Sequence, residues 1–282
     1  MRNKIKKRRF IHIIYFALAI IAIESVFYFL QAFTSPKISF AQEPDEIKMS
    51  PTAYITRSFR LPILIYHYVE YVTDERDTIR KSLNIEPHIF EAQIKSLRGA
   101  GYTFITPAQI SQIETGRIKI EKPVILSFDD GYRDFYTDVF PILKKHNIRA
   151  VAYVNPGLLG KLNYMYHDQV REIAQSGLVE IGSHGVSHRS LISLDLKQAE
   201  WEIVESKSML EKELGITITS VAYPYGHYNN AIAELAKSAG YASAITTDEG
   251  VNENTSEKFT LKRIHPGARI GSNLIYQMNL IN

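Results

Sequence analysis

The sequence predicts an α/β fold, a closed or nearly closed β/α barrel of roughly seven units, preceded by an N-terminal transmembrane helix. Three observations carry that expectation. From Leu61 onward, short apolar runs alternate with helical patterns. The runs are apolar throughout rather than at every second position, which implies strands buried on both faces, as in a parallel sheet covered by helices. About seven such units follow one another, which suits a barrel better than an open dinucleotide-binding sheet.

The elements run in this order. Residues 1–9 are a basic arm: Arg2, Lys4, Lys6, Lys7, Arg8 and Arg9 supply six of the 33 basic residues. Without them the chain holds 27 basic against 30 acidic residues, a balance of −3. The basic character therefore belongs to the arm, and no nucleic-acid surface is expected. Residues 10–33, "FIHIIYFALAIIAIESVFYFLQAF", would span roughly 36 Å as a helix, enough to cross a bilayer. Glu24 costs about 3 kcal/mol at the centre, and the apolar residues together contribute roughly 5 kcal/mol. Insertion wins, with the basic end in the cytoplasm. The expectation is a single-pass cell-membrane protein whose main domain lies outside the cytoplasm. The alternative is a cleaved signal peptide with Ser39 and Ala41 before the cut, giving a secreted protein. Residues 34–60, polar and holding three prolines, read as a linker.

Residues 61–282 form the globular domain, large enough to rest on its own core. "LPILIYHYV" is the first strand. "PHIFEAQIKSLRGAG" is helical, with Phe90, Ile94 and Leu97 on one face. "TPAQISQIETG" opens with a capping box, Thr106 and Gln109 around Pro107. Then come "KPVILSF" (strand) and "YRDFYTDVFPILKKHN" (helix), "RAVAYV" (strand) and "YHDQVREIAQSG" (helix). "LVEIGS" leads to the long helix "DLKQAEWEIVESKSMLEKELG", where Trp201 reads as a packing residue. "SVAYP" leads to "NNAIAELAKSAG", and the strands "YASAITT" and "KFTLKRI" close the domain. No Gly-rich phosphate loop follows any strand, so no nucleotide is expected. The chain has no cysteine, which removes disulfides, thiolate metal sites and a cysteine nucleophile.

In such a barrel the chemistry gathers at the C-terminal strand ends. His67 ends the first strand, Asp129 and Asp130 end "VILSF", His184 and His188 follow "LVEIGS", and Tyr225 follows "SVAYP". Two adjacent carboxylates repel each other at a partly desolvated strand end. A metal ion that binds one and leaves the other as a base would give them separate roles. "HGVSH" spaces two histidines four apart, so that one helical turn would aim both imidazoles at one ion. With one aspartate they form a two-His, one-carboxylate set with a position left open. The bland readings are a helix N-cap at Asp129–Asp130 and a satisfied buried histidine at position 67. His265 stays a candidate because it follows a late strand. Tyr66, Tyr68, Tyr132 and Tyr225 are placed to line a groove. Ser183 sits too close in sequence to His184 to act as a separate nucleophile.

Together, "SFDDGY", "SHGVSH" and "AYPYG" resemble the first three motifs of the polysaccharide deacetylases, the NodB-homology domain or carbohydrate esterase family 4. The opening "LPILIYHYV" resembles the circularly permuted branch of exported poly-N-acetylglucosamine deacetylases. The resemblance implies a distorted (β/α)7 barrel and a catalytic domain over 61–282. It implies a divalent metal, zinc with cobalt or nickel as alternatives, and an acetylated polysaccharide as substrate. It makes Asp129 the catalytic base, Asp130, His184 and His188 the metal ligands, and His67 the general acid. The Tyr225 N–H becomes an oxyanion donor. An O-acetyl esterase and a silent glycan-binding protein remain as alternatives. The family's third-motif arginine, which orients the base, is absent, with Ala222 in that region. Arg263, at the end of a late strand, is the candidate to replace it.

Overall fold

The computed structural model describes residues 60–281, apart from 75 and 253–256. The basic arm, the expected transmembrane span at 10–33 and the linker up to residue 59 lie outside the described residues. Among the described residues, no helix is long and apolar enough to cross a membrane. Arg60, the last residue of the expected linker, donates hydrogen bonds to the carbonyls of Met278 and Ile281.

Among the described residues ten strands are formed in chain order: β1 (Ile63–Tyr66), β2 (Tyr68–Val69), β3 (Asn84–Ile85), β4 (Thr103–Phe104), β5 (Pro123–Phe128), β6 (Ala150–Val154), β7 (Val179–Ser183), β8 (Ser220–Ala222), β9 (Ser243–Glu249) and β10 (Leu261–Arg263). Seven of them make one parallel sheet in the order β1-β5-β6-β7-β8-β9-β10, with β4 added on β5. The sheet nearly closes on itself. Ile65 N–H donates to Ile264 O at 3.0 Å and Ile264 N–H to Ile63 O at 2.8 Å, a short parallel bridge from β10 back to β1. A nearly closed seven-stranded barrel with helices between its strands agrees with the expected β/α barrel. Its distortion lies at this seam and at the register shift between β9 and β10.

Strand side chains alternate with a period of two, so each strand serves two cores. Ile63, Ile125, Tyr153, Ala222, Ile245 and Leu261 fill the barrel interior, whose N-terminal end is plugged by Ile105, Ile110 and Ile113. Leu64, Leu126, Ala152, Ile181, Val221 and Ala244 face the helices. The helix Pro87–Gly99 meets them with Phe90, Ile94 and Leu97, as its sequence pattern requires. The helix Leu196–Leu214 begins at Asp195, whose side chain accepts the Gln198 N–H at 2.9 Å.

Several elements depart from the sequence reading. The helix expected from Tyr132 is split into a π-helical turn, Phe135–Val139, and a helix, Phe140–His146. Pro141 has no N–H to donate and crowds the preceding turn, which ends the regular pattern there. The Thr106 capping box forms, with Thr106 N–H bonded to Gln109 Oε1, but the helix behind it, Ile110–Glu114, is short. Between β1 and the helix Pro87–Gly99 lies an unforeseen unit: β2 and β3 paired in parallel around the helix Thr78–Leu83. The C-terminal helix Gly271–Leu280 is also beyond what the pattern predicts. Trp201, expected to pack, is 54% exposed.

The barrel interior tolerates little added volume. A Cβ at Gly182 would sit 2.4 Å from the Tyr153 ring, far inside van der Waals contact. Gly182→Ala should lower the unfolding free energy by about 1–3 kcal/mol through overpacking. An unchanged urea midpoint would show that Tyr153 can move aside.

Candidate active site

The same period of two that builds the cores delivers the polar groups. Along β1 the inner positions are Ile63, Ile65 and then His67; along β5 they are Ile125, Ser127 and then Asp129. Inner positions 182 and 184 bring His184 in from β7, and 261 and 263 bring Arg263 in from β10. Tyr66, on the outward face, is buried with its hydroxyl donating to Gln93 Oε1 at 3.0 Å, and it also borders a cleft beside His67. Asp130 would face outward by simple alternation. It adopts a left-handed φ of 73°, which breaks the alternation and turns it toward the mouth beside Asp129. His188 (φ 59°) and Tyr225 (φ 61°) are left-handed as well.

Asp129 and Arg263 are both buried and joined by a fork. Arg263 Nη1 and Nη2 each donate to one Asp129 oxygen at 2.7 Å. Arg263 Nε donates to Thr246 O at 2.6 Å, and Nη1 also reaches Ser127 Oγ at 3.3 Å. Burial pushes the Asp129 carboxyl up, and Arg263, His184 and His67 outweigh it, holding the group below the usual carboxylate range. The cation expected at position 263 is in contact with the base candidate.

Asp130, His184 and His188 form the second half of the mouth. Their ligand atoms lie within 4.8 Å of one another. Asp130 Oδ1 is 2.9 Å from His188 Nε2 and 3.4 Å from His184 Nε2, yet it makes no well-angled hydrogen bond to either. Three donor atoms crowded around one point without bonding each other fit a divalent cation. Burial would raise Asp130, but the two imidazoles hold its carboxyl well below the usual range. His184 Nδ1 lies 2.7 Å from Ala222 O, a partner only for a protonated nitrogen, which leaves Nε2 free as a ligand. Ala222, where the family's arginine is missing, thus supplies a carbonyl to this histidine. The histidines do not share a helical turn as expected. Residues 184–188 are a loop after β7, and the left-handed backbone at His188 does the aiming.

Among the described residues, His67 makes no hydrogen bond to a neighbouring side chain but feels both carboxylates. Burial lowers its pKa, Asp129 and Asp130 raise it, and the balance lies below the ordinary histidine value. It lines a cleft of about 450 Å³, open mouth included, together with Tyr68, Asn84, Ile85, His265 and Pro266. His265 therefore sits across a cleft from His67, its pKa lowered by burial and then by Arg263. Tyr225 is 54% exposed, with its ring centroid 4.5 Å from that of His188. Its turn is closed by Gly226 N–H to Tyr223 O at 2.8 Å and His227 N–H to Pro224 O at 3.2 Å, which leaves the Tyr225 N–H outside those bonds. Only glycine fits at 226, where φ is +70° and a Cβ would meet Thr247 Oγ1 at 2.0 Å.

Two supporting residues were not singled out from the sequence. Asn155, the next inner position after Tyr153, is buried and donates to the carbonyls of His184 and Gly185. Asp134 is buried and accepts the Val69 N–H at 2.6 Å, and burial pushes its carboxyl up to about 7. Asn155 carried a usable signal: it follows a strand end by the same alternation that yields Asp129.

Comparison with known proteins decides the family. The polysaccharide deacetylase profile matches residues 116–244. YxkH of Bacillus subtilis (strain 168), itself assigned as a polysaccharide deacetylase, is 32% identical over 206 residues, which cover 73% of this chain and 71% of that protein. The chain belongs to the polysaccharide deacetylase family. The poly-β-1,6-N-acetyl-D-glucosamine N-deacetylase of Staphylococcus aureus (strain MRSA252) is 25% identical over 197 residues, 65% of this deacetylase and 68% of that one. Among solved structures, the Streptococcus pyogenes deacetylase PplD in complex with acetate superposes with a TM-score of 0.72 at 28% identity, covering 78% of this chain and 98% of that one.

The Arg263 fork has a pH signature. An opposite charge lowers a carboxylate pKa by roughly 1–3 units. Asp129, depressed in the folded state, keeps its charge down to a low pH and loses it as pH falls through that depressed value. Arg263→Met removes the counter-charge and leaves the burial, so the Asp129 pKa should rise and the acid limb of the pH–rate profile should move upward. Metal content should not change. An acid limb at the same pH would dissociate Arg263 from the ionisation of Asp129. Because one partner of a buried pair is left alone, the variant should also lose about 3–5 kcal/mol of stability.

Proposed function

We infer that this deacetylase is a metal-dependent hydrolase that removes N-acetyl groups from an N-acetylglucosamine-containing polysaccharide, releasing acetate and leaving free amines. The observation that carries the reading is the divided partnership of two adjacent carboxylates: Asp129 is held by an arginine, while Asp130 faces two imidazoles. The relative from Staphylococcus aureus supports the choice of an N-acetylglucosamine polymer. Two histidines and one carboxylate suit zinc, with cobalt and nickel as alternatives.

Asp130, His184 and His188 would hold the ion. When bound, it supplies Lewis acidity toward water and toward the acetamide carbonyl. Asp129, ionised and fixed by the Arg263 fork, takes the proton from the attacking water. The Tyr225 N–H donates to the oxygen on which negative charge develops, an interaction that strengthens along the reaction. His67, as imidazolium, protonates the departing amine. Its lowered pKa makes the imidazolium a stronger donor and also thins its population as pH rises. Breaking the C–N bond thus leaves acetate from the acyl half and an amine on the sugar.

We also read residues 10–33 as an uncleaved anchor that places catalysis at the cell surface, on the strength of the basic arm and the apolar run. Chain recovered in a soluble extracellular fraction, cut near Ala41, would favour the secreted alternative.

Acetate release by the purified chain, with and without chelator, tests the main reading on acetylated glucosamine polymers and on acetylated xylan. Release from the glucosamine polymers alone, abolished by chelator, is expected. Release from xylan alone would favour an O-acetyl esterase, and none from any glycan would favour a silent binder. The two acids should also separate. Asp129→Asn should retain metal while turnover falls at least about a hundredfold, and Asp130→Ala should lose the metal. Equal metal loss in both would refute the division of roles.

A further inference from the structure

The helix Leu196–Leu214 carries a carboxylate where its pattern calls for an apolar residue. Its buried positions are Ala199, Glu202, Ile203, Ser206 and Leu210, one stripe facing the barrel. Glu202 is 1% exposed. A carboxylate in such a place is costly unless donors meet both oxygens. They do. Oε2 accepts the backbone N–H groups of Val186 at 2.6 Å and Ser187 at 3.0 Å, and Oε1 accepts the Ser187 hydroxyl. Every one of these donors lies on the two residues between Gly185 and His188.

The loop is thereby gripped from both ends. Asn155 holds the carbonyls of His184 and Gly185, and Glu202 holds the N–H groups of the next two residues. His188 comes immediately after them, in a left-handed conformation with φ 59°. No regular element supports that conformation, since residues 184–188 belong to neither helix nor strand. The Glu202 carboxylate ties the 186–187 backbone to the helix Leu196–Leu214.

We propose that Glu202 is a positioning residue for the metal centre, acting through the 186–187 backbone to hold His188 Nε2 at the point shared with His184 and Asp130. The proposal rests on the reading of Asp130, His184 and His188 as ligands. Glu202 itself touches neither the ligand atoms nor a substrate. Its replacement leaves three donors and the barrel in place while releasing one ligand's backbone.

The test is metal affinity and geometry. The chain is stripped of metal, and zinc affinity is measured by chelator competition for wild type and Glu202→Gln. Cobalt is then loaded, and its visible absorption reports the ligand geometry. Glu202→Gln keeps size, removes the charge from the oxygen that takes both loop N–H groups and leaves a single acceptor oxygen, the other position becoming an NH2 toward the Ser187 hydroxyl. Supporting groups of this kind are worth about 10–100-fold in metal affinity. The expected result is a loss of about that size with an altered cobalt spectrum, beside a metal-free melting temperature that accounts for only part of the change. Wild-type affinity and spectrum in the folded variant would overturn the proposal, even if its melting temperature falls. If Glu202→Gln does not fold, Ser187→Ala decides: it removes one donor, and a several-fold loss with a shifted spectrum supports the proposal, while no change in either overturns it. Failure of wild type to bind zinc or cobalt would instead remove the ligand reading on which the proposal stands.

Discussion

A carboxylate sealed at the end of a strand must find a cation or give up its charge, and Asp129 finds Arg263. The pair also has a mechanical side. β5 and β10 are not neighbours in the sheet; β1 lies between them, and β10 meets β1 only through the short bridge at Ile264. The Arg263 guanidinium reaches inside the barrel past β1 to the end of β5, anchored on the way by Thr246 O and Ser127 Oγ. A planar fork with five donors is suited to this, since it can satisfy a carboxylate and a carbonyl at once in a dry place. The charge state of Asp129 and a side-chain tie between β10 and β5 therefore rest on one residue, beside the backbone bridge that closes the barrel.

The neighbouring acid solves the opposite problem. Asp130 is paired with no arginine, and the groups nearest its Oδ1 are the imidazole nitrogens of His188 and His184 rather than fixed charges. Two residues that are adjacent in the chain are thus separated electrically, one compensated from inside the barrel and one open to the mouth. The separation needs a backbone that abandons strand alternation between positions 129 and 130. The left-handed turn at Asp130 provides it.

Much of this was legible from residues alone. An apolar run such as "VILSF" specifies a strand buried on both faces, and alternation along it fixes which residue at its end looks inward. That logic turns His67 and Asp129 inward and sends the Tyr66 hydroxyl outward to Gln93. Arg263 followed from a missing arginine and a late strand end. The HGVSH spacing was legible as a ligand pair and misleading as a helix, because a fourth-residue repeat also arises from a loop with one left-handed residue. The unit at β2 and β3 was invisible because its strands have two residues each and its helix buries none, so there was no period to detect. Glu202 was masked by its helix: on an amphipathic pattern, a glutamate next to Ile203 reads as a solvated face. Only the tertiary position of the 186–187 backbone shows what it meets.

The left-handed residues have a consequence for how this chain can be altered. Among the described non-glycine residues, Asp130, His188 and Tyr225 are three of five with positive φ, and all three stand at the mouth. The other two are Asn147 and Asn163; asparagine and, like it, the aspartate at 130 tolerate this region better than a bulky side chain such as Tyr225. An ordinary side chain held there gives up roughly 1–2 kcal/mol, against a typical net stability of about 5–15 kcal/mol for a whole protein. Glycine at 130, 188 or 225 would recover part of that energy and at 130 or 188 delete a candidate metal ligand. A search for hardier variants that scores survival to heat alone would drift toward those positions. The chain it converged on would be tougher and chemically silent, so thermal resistance and turnover must be selected together in this barrel.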